Sequence, residues 1–311
     1  MRVLVTGASG YVGWAVVHEL RERGHDVVAM VHESSREFPL DVELRTAHLL
    51  SEASLSDAVM GVEGVCHLAA MVRVREAAEH PTRVWRLNVA GTLNLLDALA
   101  VATEKTGQAA RLVLTSTGAV YGTPAQQPIS EDAPLAPINP YAASKVAAEQ
   151  VIAAQAATGL VGATSLRIFN AAGAVARQAD PDTSRIIPKA VAVAAGQAPA
   201  VVVNGDGTAV RDFVHVGDIA AAVVLALEAV KPGQYNAYNV GAVPASVNDV
   251  IASTERITGR RVAIEHRPAY AAESPELRAD TAKIRGELGW SPLTTRLDEL
   301  VADQWDAGRG V

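Results

Sequence analysis

"RVLVTGASGYVG", Arg2–Gly13, decides how the rest of the chain is read. The apolar run at its start is the pattern of a buried strand. Gly7, Gly10 and Gly13 follow at G-x-x-G-x-x-G spacing, and a helical pattern then runs to Gly24. In such a turn the first glycine permits the sharp bend, the second lets a phosphate approach the backbone, and the third lets helix pack on strand. The N–H groups at the helix start attract a pyrophosphate. Gly7, Gly10, Tyr11, Val12 and Gly13 are therefore the first candidate binding residues.

Working outward, "DVVAMVH", "VELRTAHL", "GVCHLAA", "RLVLTST" and "GATSLRIF" read as further strands. Helical patterns separate them at 54–60, at 81–101, and from Pro140 to a terminal Gly159. This alternation predicts right-handed βαβ units and an α/β fold: a Rossmann-type, doubly wound parallel sheet. Residues 1–170 are read as the dinucleotide-binding domain, with later segments returning to it. Residues 171–311, in shorter pieces richer in Pro, Gly and charge, are read as mainly a smaller C-terminal α/β substrate lobe.

The 311 residues are 49% hydrophobic and 20% charged, a globular composition. A net charge of −7 argues against a nucleic-acid partner. The lone Cys66 suits a reducing compartment. "IAAAVVLALEAV" is too short for a membrane span and reads as a core helix. A cytoplasmic protein without a membrane or metal site is expected.

"NPYAASKVAAEQ", Asn139–Gln150, carries the chemistry. Asn139 reads as N-cap and Pro140 as the first helical residue. Tyr141 and Lys145 then share one face at i, i+4. Lowering a phenol pKa from about 10 to about 7 takes ~4 kcal/mol. A unit charge about 4 Å away at an effective dielectric near 20 supplies roughly that. The pair is suited to proton transfer at neutral pH. "TST" ends the preceding strand with Ser116 and Thr117, where an open α/β sheet places its ligands.

At the end of the second strand an acid commonly meets the adenosine ribose. Val31 and His32 stand there instead, with Glu33 slightly late and Arg36 beyond. Glu33 on a ribose, or His32 and Arg36 on a 2′-phosphate, are both open, and NADP stays beside NAD.

The ordered motifs "VTGASGYVG", "HLAA", "NVAGT", "TSTGAVYG", "PYAASK", "LRIFNAAG", "RDFVHVGDIA" and "LGWSP" cover nearly the whole chain. With them the chain resembles the extended short-chain dehydrogenase/reductases, most of all the UDP-glucose 4-epimerase group of nucleotide-sugar enzymes. The resemblance implies a catalytic Thr117, Tyr141 and Lys145, with Thr117 and Tyr141 also meeting the sugar and Ser116, Tyr141 and Lys145 the cofactor. It implies further cofactor contacts at His32, Glu33, Leu49, Leu68, Ala69, Ala70 and Asn88. Asn170 and Arg211 fall where the sugar-nucleotide diphosphate is held, with Arg185 and Arg267 as further substrate-side positions.

Three motifs depart from the resemblance: the second-strand acid, His48 in place of an Asp, and, near the C-terminus, Tyr270 and Glu273 in place of an arginine and an aspartate. Dehydratases of the group carry Asp-Glu where Thr117-Gly118 stands, so the elimination route lacks its acid. The implied activity is 4-epimerisation of a UDP-hexose or UDP-hexuronic acid through a transient 4-keto sugar with bound NAD. An NADPH-dependent 4-keto-sugar reductase is the alternative, and a non-catalytic NAD(P) sensor a more distant one. The resemblance puts Leu277 where some members of the group place a bulky residue at the sugar pocket. A homodimer through the helices after Pro81 and Pro140 is expected.

Overall fold

The computed structural model describes residues 1–32, 36–269 and 274–308. Its first half runs β1 (Arg2–Thr6), α1 (Tyr11–Glu22), β2 (Asp26–Val31), β3 (Glu43–Thr46), α2 (Glu52–Ala58) and β4 (Gly64–His67). There follow α3 (Val74–Glu79), α4 (Pro81–Trp85), α5 (Gly91–Thr106), β5 (Ala110–Thr117), α6 (Pro140–Ala157) and β6 (Val161–Ile168). The second half begins with β7 (Asn170–Ala172), β8 (Ala174–Val175), β9 (Gln178–Ala179), α7 (Ile186–Ala194), β10 (Val201–Asn204) and β11 (Val210–His215). It continues with α8 (Val216–Ala229), β12 (Tyr235–Val240), β13 (Val243–Ser246), α9 (Val247–Thr258), β14 (Ile264–Arg267) and β15 (Glu276–Leu277), then α10 (Ala282–Leu288) and α11 (Leu297–Gly308).

The chain folds as two units. The first comprises Met1–Gly122, Pro134–Arg167 and Ala220–Tyr238. Its seven-stranded sheet has the order β12-β6-β5-β4-β1-β2-β3. The pairs β1–β2, β1–β4, β2–β3 and β4–β5 are parallel. Chain order reverses at β1, so the carboxyl ends of β1 and β4 flank a topological switch point, where such sheets bind ligands. Leu4, Val28, Leu55, Leu95, Leu99, Leu112 and Ile152 belong to its core. These are the apolar strand and helix positions, which explains why periodicity exposed the elements.

The helical pattern over 81–101 proves to be α4 and α5 joined by a π-helical turn, Arg86–Ala90, with α3 preceding them. The widened turn carries Asn88, whose side chain is occupied at once from two directions. Asn88 Oδ1 accepts from Met71 N–H at 2.8 Å, while Nδ2 donates to Met71 O at 3.1 Å and to Ser144 Oγ at 2.9 Å. No hydrophobic period records such a requirement.

The second unit comprises Thr123–Ala133, Ile168–Ile219 and Asn239–Val311. β11 is the spine of its small sheet, antiparallel to β13 and parallel to β7 and β15. β10 and β14 form a separate parallel pair. Ile187, Val191, Phe213, Val250, Ile251, Leu300 and Val301 belong to its core. The segment 123–133 joins this unit through an Ile129–Ala279 bridge and Asn239 Nδ2 donating to Ile129 O at 2.8 Å.

Candidate active site

Gly7 has a left-handed φ of 70°, and a Cβ there would lie 2.8 Å from Ala69 N. A Cβ on Gly13 would lie 2.1 Å from Gly7 O. The loop is therefore closed to side chains and pressed against the backbone of Leu68–Ala69. Gly10 caps α1 without any side-chain hydrogen bond, so the cap supplies no acceptor of its own to the first-turn N–H groups. Tyr11 and Val12 are half-buried in that turn. These features fit a pyrophosphate.

Below the loop, Thr6 Oγ1 accepts from Leu68 N–H at 3.2 Å and Ala69 N–H at 3.1 Å. Its proton is left for His67 Nδ1, 2.8 Å away. Thr92 Oγ1 donates to Asn88 O at 2.7 Å, so it accepts from His67 Nε2–H at 3.0 Å. The network thus assigns the neutral Nε2–H tautomer. Burial, and then the Lys145 charge, holds the His67 pKa down at about 3. A neutral imidazole under the loop keeps Leu68 and Ala69 in place across the physiological pH range.

The helix bearing Tyr141 and Lys145 starts as its sequence requires. Asn139 Oδ1 accepts from Ala142 N–H at 2.9 Å, Pro140 is at the first turn, and Ser144 Oγ donates to Tyr141 O at 2.7 Å. The Tyr141 ring packs against the small cluster of Met71, Ala77 and Val84. Lys145 is buried, and burial lowers its pKa to about 8 although the Glu149 charge pulls it back upward. Thr117 is buried at the end of β5, and its Oγ1 caps the following turn by accepting from Ala119 N–H at 3.2 Å. Ser116 Oγ donates to Glu149 Oε1. That bond pins the end of β5, where Thr117 stands, to α6 within one turn of Lys145.

At the end of β2 and just beyond β3, the His32 and His48 rings meet edge-on with centroids 4.5 Å apart. His48 Nδ1 accepts from Leu50 N–H at 3.0 Å. Arg36 lies over the Trp14 ring at 4.8 Å. Leu49 is buried, and its carbonyl accepts from Asn94 Nδ2 at 3.0 Å. Ala70 is half-buried beyond β4. Glu33, Tyr270 and Glu273 lie outside the described residues.

In the second unit Asn170 and Arg211 stand on adjoining strands. Asn170 Nδ2 donates to Asp212 O at 2.8 Å. Arg211 Nη1 donates to Val210 O at 2.9 Å and Ser274 O at 3.0 Å, and Leu277 is its register partner. The Asp212 carboxylate ties the neighbouring loops, accepting from Ala242 N–H at 2.7 Å and Ala279 N–H at 2.9 Å. The other two arginines stand on other elements. Arg185, at the N-cap of α7, donates to Asp180 Oδ2 at 2.9 Å. Arg267 is exposed at the end of β14 and pairs with Glu265 at 2.8 Å.

The NAD dependent epimerase/dehydratase family matches residues 3–241. The chain belongs to that family. It is 38% identical to the UDP-glucose 4-epimerase of Corynebacterium glutamicum over 98% of this chain and 95% of the relative. The UDP-glucose 4-epimerase of Stenotrophomonas maltophila, solved with NAD and formylated UDP-arabinopyranose, superposes with a TM-score of 0.90. That structure is 30% identical, with 99% of this chain and 98% of that chain covered. MoeE5, solved with UDP-glucuronic acid and NAD, is 32% identical at a TM-score of 0.86, with 99% of both chains covered.

For an epimerase/dehydratase-family chain, the glycine cradle and the Leu68–Ala69 backbone are residues that would hold the NAD diphosphate. Three buried polar residues escaped the sequence reading: His67, Glu149, and Arg167, which pairs with Glu149 at 2.8 Å. Each left a trace. His67 is a polar residue ending an apolar strand, Arg167 a cation inside "SLRIF", and Glu149 the i+4 neighbour of Lys145.

Proposed function

We propose that this protein is an NAD-dependent nucleotide-sugar epimerase that inverts C4 of a UDP-linked hexose or hexuronic acid. The observation that carries the reading is the buried Lys145, one turn after Tyr141, on a helix pinned to the strand end that bears Thr117. In this role Thr117 Oγ1 hydrogen-bonds the C4 oxygen and Tyr141 takes its proton. The Lys145 ammonium favours the tyrosinate, because an adjacent positive charge stabilises the charged phenol. NAD, held at the glycine cradle and the Leu68–Ala69 backbone, would supply a reversible hydride acceptor for C4, and the residues of the chain would move only the proton. Tyr141 then returns the proton to the same oxygen. Arg211 and Asn170 hold the diphosphate, where a planar guanidinium suits phosphate oxygens.

Thr117-Gly118 offers no carboxylic acid to expel water, which argues against a dehydratase. The NADPH-dependent reductase has less support, since the structural relatives named above were solved with NAD. The protein works as a homodimer through the helices near α4, α5 and α6, supported by exposed Trp85, Leu93 and Val101. No helix among the described residues is long and apolar enough to cross a membrane. Together with the lone, buried Cys66 this supports a cytoplasmic setting.

The test incubates UDP-glucose, UDP-N-acetylglucosamine and UDP-glucuronic acid with the enzyme, without added nicotinamide, and follows C4 by NMR. Inversion of one sugar is expected. No inversion, with a 4-keto sugar consuming added NADPH stoichiometrically, would replace the reading by the reductase.

A further inference from the structure

Glu149 has no part in the proton transfers just described, yet it is buried on the same face of α6 as Tyr141 and Lys145, at i, i+4 and i+8. A buried carboxylate persists as an anion only when paired and hydrogen-bonded. Arg167 from β6 supplies the pair: Nε lies 3.3 Å from Oε1 and 3.2 Å from Oε2, and Nη2 lies 2.8 Å from Oε2. Arg167 is itself held by Tyr121, whose hydroxyl accepts from Nη1 at 2.8 Å. Ser116 donates to Oε1, and the Tyr235 hydroxyl lies 3.5 Å from Oε2 and 3.0 Å from Ser165 Oγ.

This network touches the site in two places. Ser116 precedes Thr117, so the carboxylate fixes the strand end on which the hydroxyl stands. Lys145 precedes Glu149 by one turn, in an environment that otherwise opposes an ammonium. The groups around the Lys145–Glu149 pair are identifiable. His67 on β4 is neutral. Tyr121 and Tyr235 contribute phenols, and burial, followed by the Glu149 charge, raises the pKa of Tyr235 so that it stays protonated. Arg167 on β6 is cationic: burial opposes that charge, but the Glu149 hydrogen bond and charge outweigh it. Tyr141 lies one turn back. Glu149 is the one carboxylate among these groups.

We propose that Glu149 is a positioning residue for the Tyr141–Lys145 pair: clamped by Arg167 and Ser116, its carboxylate keeps Lys145 an ammonium and sets the strand end that carries Thr117. The inference rests on the reading of Tyr141 and Lys145 as the proton-transfer pair.

The sign of the effect follows from the charges. Burial has already brought the Lys145 pKa to about 8, and Glu149 works against burial. Replacing the carboxylate by an amide removes that support and leaves the Arg167 charge unmasked. Both changes favour neutral lysine. The alkaline limb of the kcat–pH profile should therefore move to lower pH in Glu149→Gln. A shift of about one pH unit or more is expected for loss of a charge roughly one turn away at an effective dielectric near 20. KM for the UDP-sugar should stay within about twofold, since a positioning residue alters kcat without removing a substrate contact.

Glu149→Asp, which keeps the charge, is the second variant and should retain the wild-type limb even if kcat falls. Holoenzyme profiles of the wild type and both variants decide the matter. A limb that moves in Glu149→Gln and not in Glu149→Asp supports the proposal. Profiles lowered by one factor at every pH, equal shifts in both variants, or loss of the folded holoenzyme in both would assign Glu149 to packing alone and overturn it. Failure of the underlying reading shows separately, as full turnover in Tyr141→Phe.

Discussion

Two arginine–glutamate pairs of nearly equal length stand in very different surroundings. Arg167–Glu149 closes at 2.8 Å with both side chains buried, and Arg267–Glu265 closes at 2.8 Å with both exposed. Distance alone does not rank them. The exposed pair gains little, because water screens it and two long side chains lose freedom to form it. The buried pair has lost its hydration on both sides, so neither partner tolerates removal of the other. The first unit thus places charge where displacement is costly, beside the proposed proton-transfer pair. The second unit directs Arg211 at backbone carbonyls, and its Arg267 pair lies at the surface.

The largest effect that would sharpen this contrast is on chemistry. Tyr141→Phe keeps the ring that packs against Met71, Ala77 and Val84 but removes the hydroxyl. Turnover should fall by about three orders of magnitude, the scale of a lost general acid–base group, with little change in melting temperature. Wild-type turnover by steady-state assay would break the assignment of chemistry to this face of α6.

Arg167→Met comes next. It leaves Glu149 buried without its cation, and the expected loss of stability is roughly 3–5 kcal/mol by urea denaturation. A loss below about 1 kcal/mol would place Arg167–Glu149 in the same class as the surface pairs. Arg211→Ala should weaken UDP binding by roughly 1.5–3 kcal/mol, the worth of a hydrogen bond to a charged group, while NAD retention stays unchanged. Calorimetry with UDP reads it, and unchanged affinity would take the diphosphate role away from Arg211. The smallest effect is expected for Arg267→Ala, within about 0.5 kcal/mol of wild type in stability, as for other exposed sites. A much larger loss by the same denaturation would erase the distinction between the two pairs.

Much of this could be read along the chain because the deciding forces are local. The start of α6 follows from Asn139 and Pro140, which satisfy or omit its first N–H groups. The cradle follows from three glycines at a strand-to-helix junction. All but the last residue of the "IAAAVVLALEAV" run lies in α8, whose apolar side chains from Ile219 to Leu227 are mostly buried. In each case a few adjacent residues carry the whole physical requirement.

The polar heart of the first unit follows a different logic. Glu149 in "AAEQ" looks like a solvated helix residue until β5 and β6 bring Ser116 and Arg167 to it from 33 and 18 residues away. Asn88 owes its role to Met71 and Ser144, which meet it across a π-helical turn. His67 has its tautomer set by Thr6 and Thr92, 61 and 25 residues distant. The segment 123–133 and the stretch 220–238 each fold with a unit other than their chain neighbours'. Periodicity, caps and glycine spacing thus determined by themselves β1 to β6 of the sheet, the cradle and the helix of Tyr141 and Lys145, but not β12, the sheet's seventh strand. Only the tertiary structure decided which polar groups lose their water and find each other, because desolvation and ion pairing depend on which surfaces meet, and no local stretch of sequence contains that.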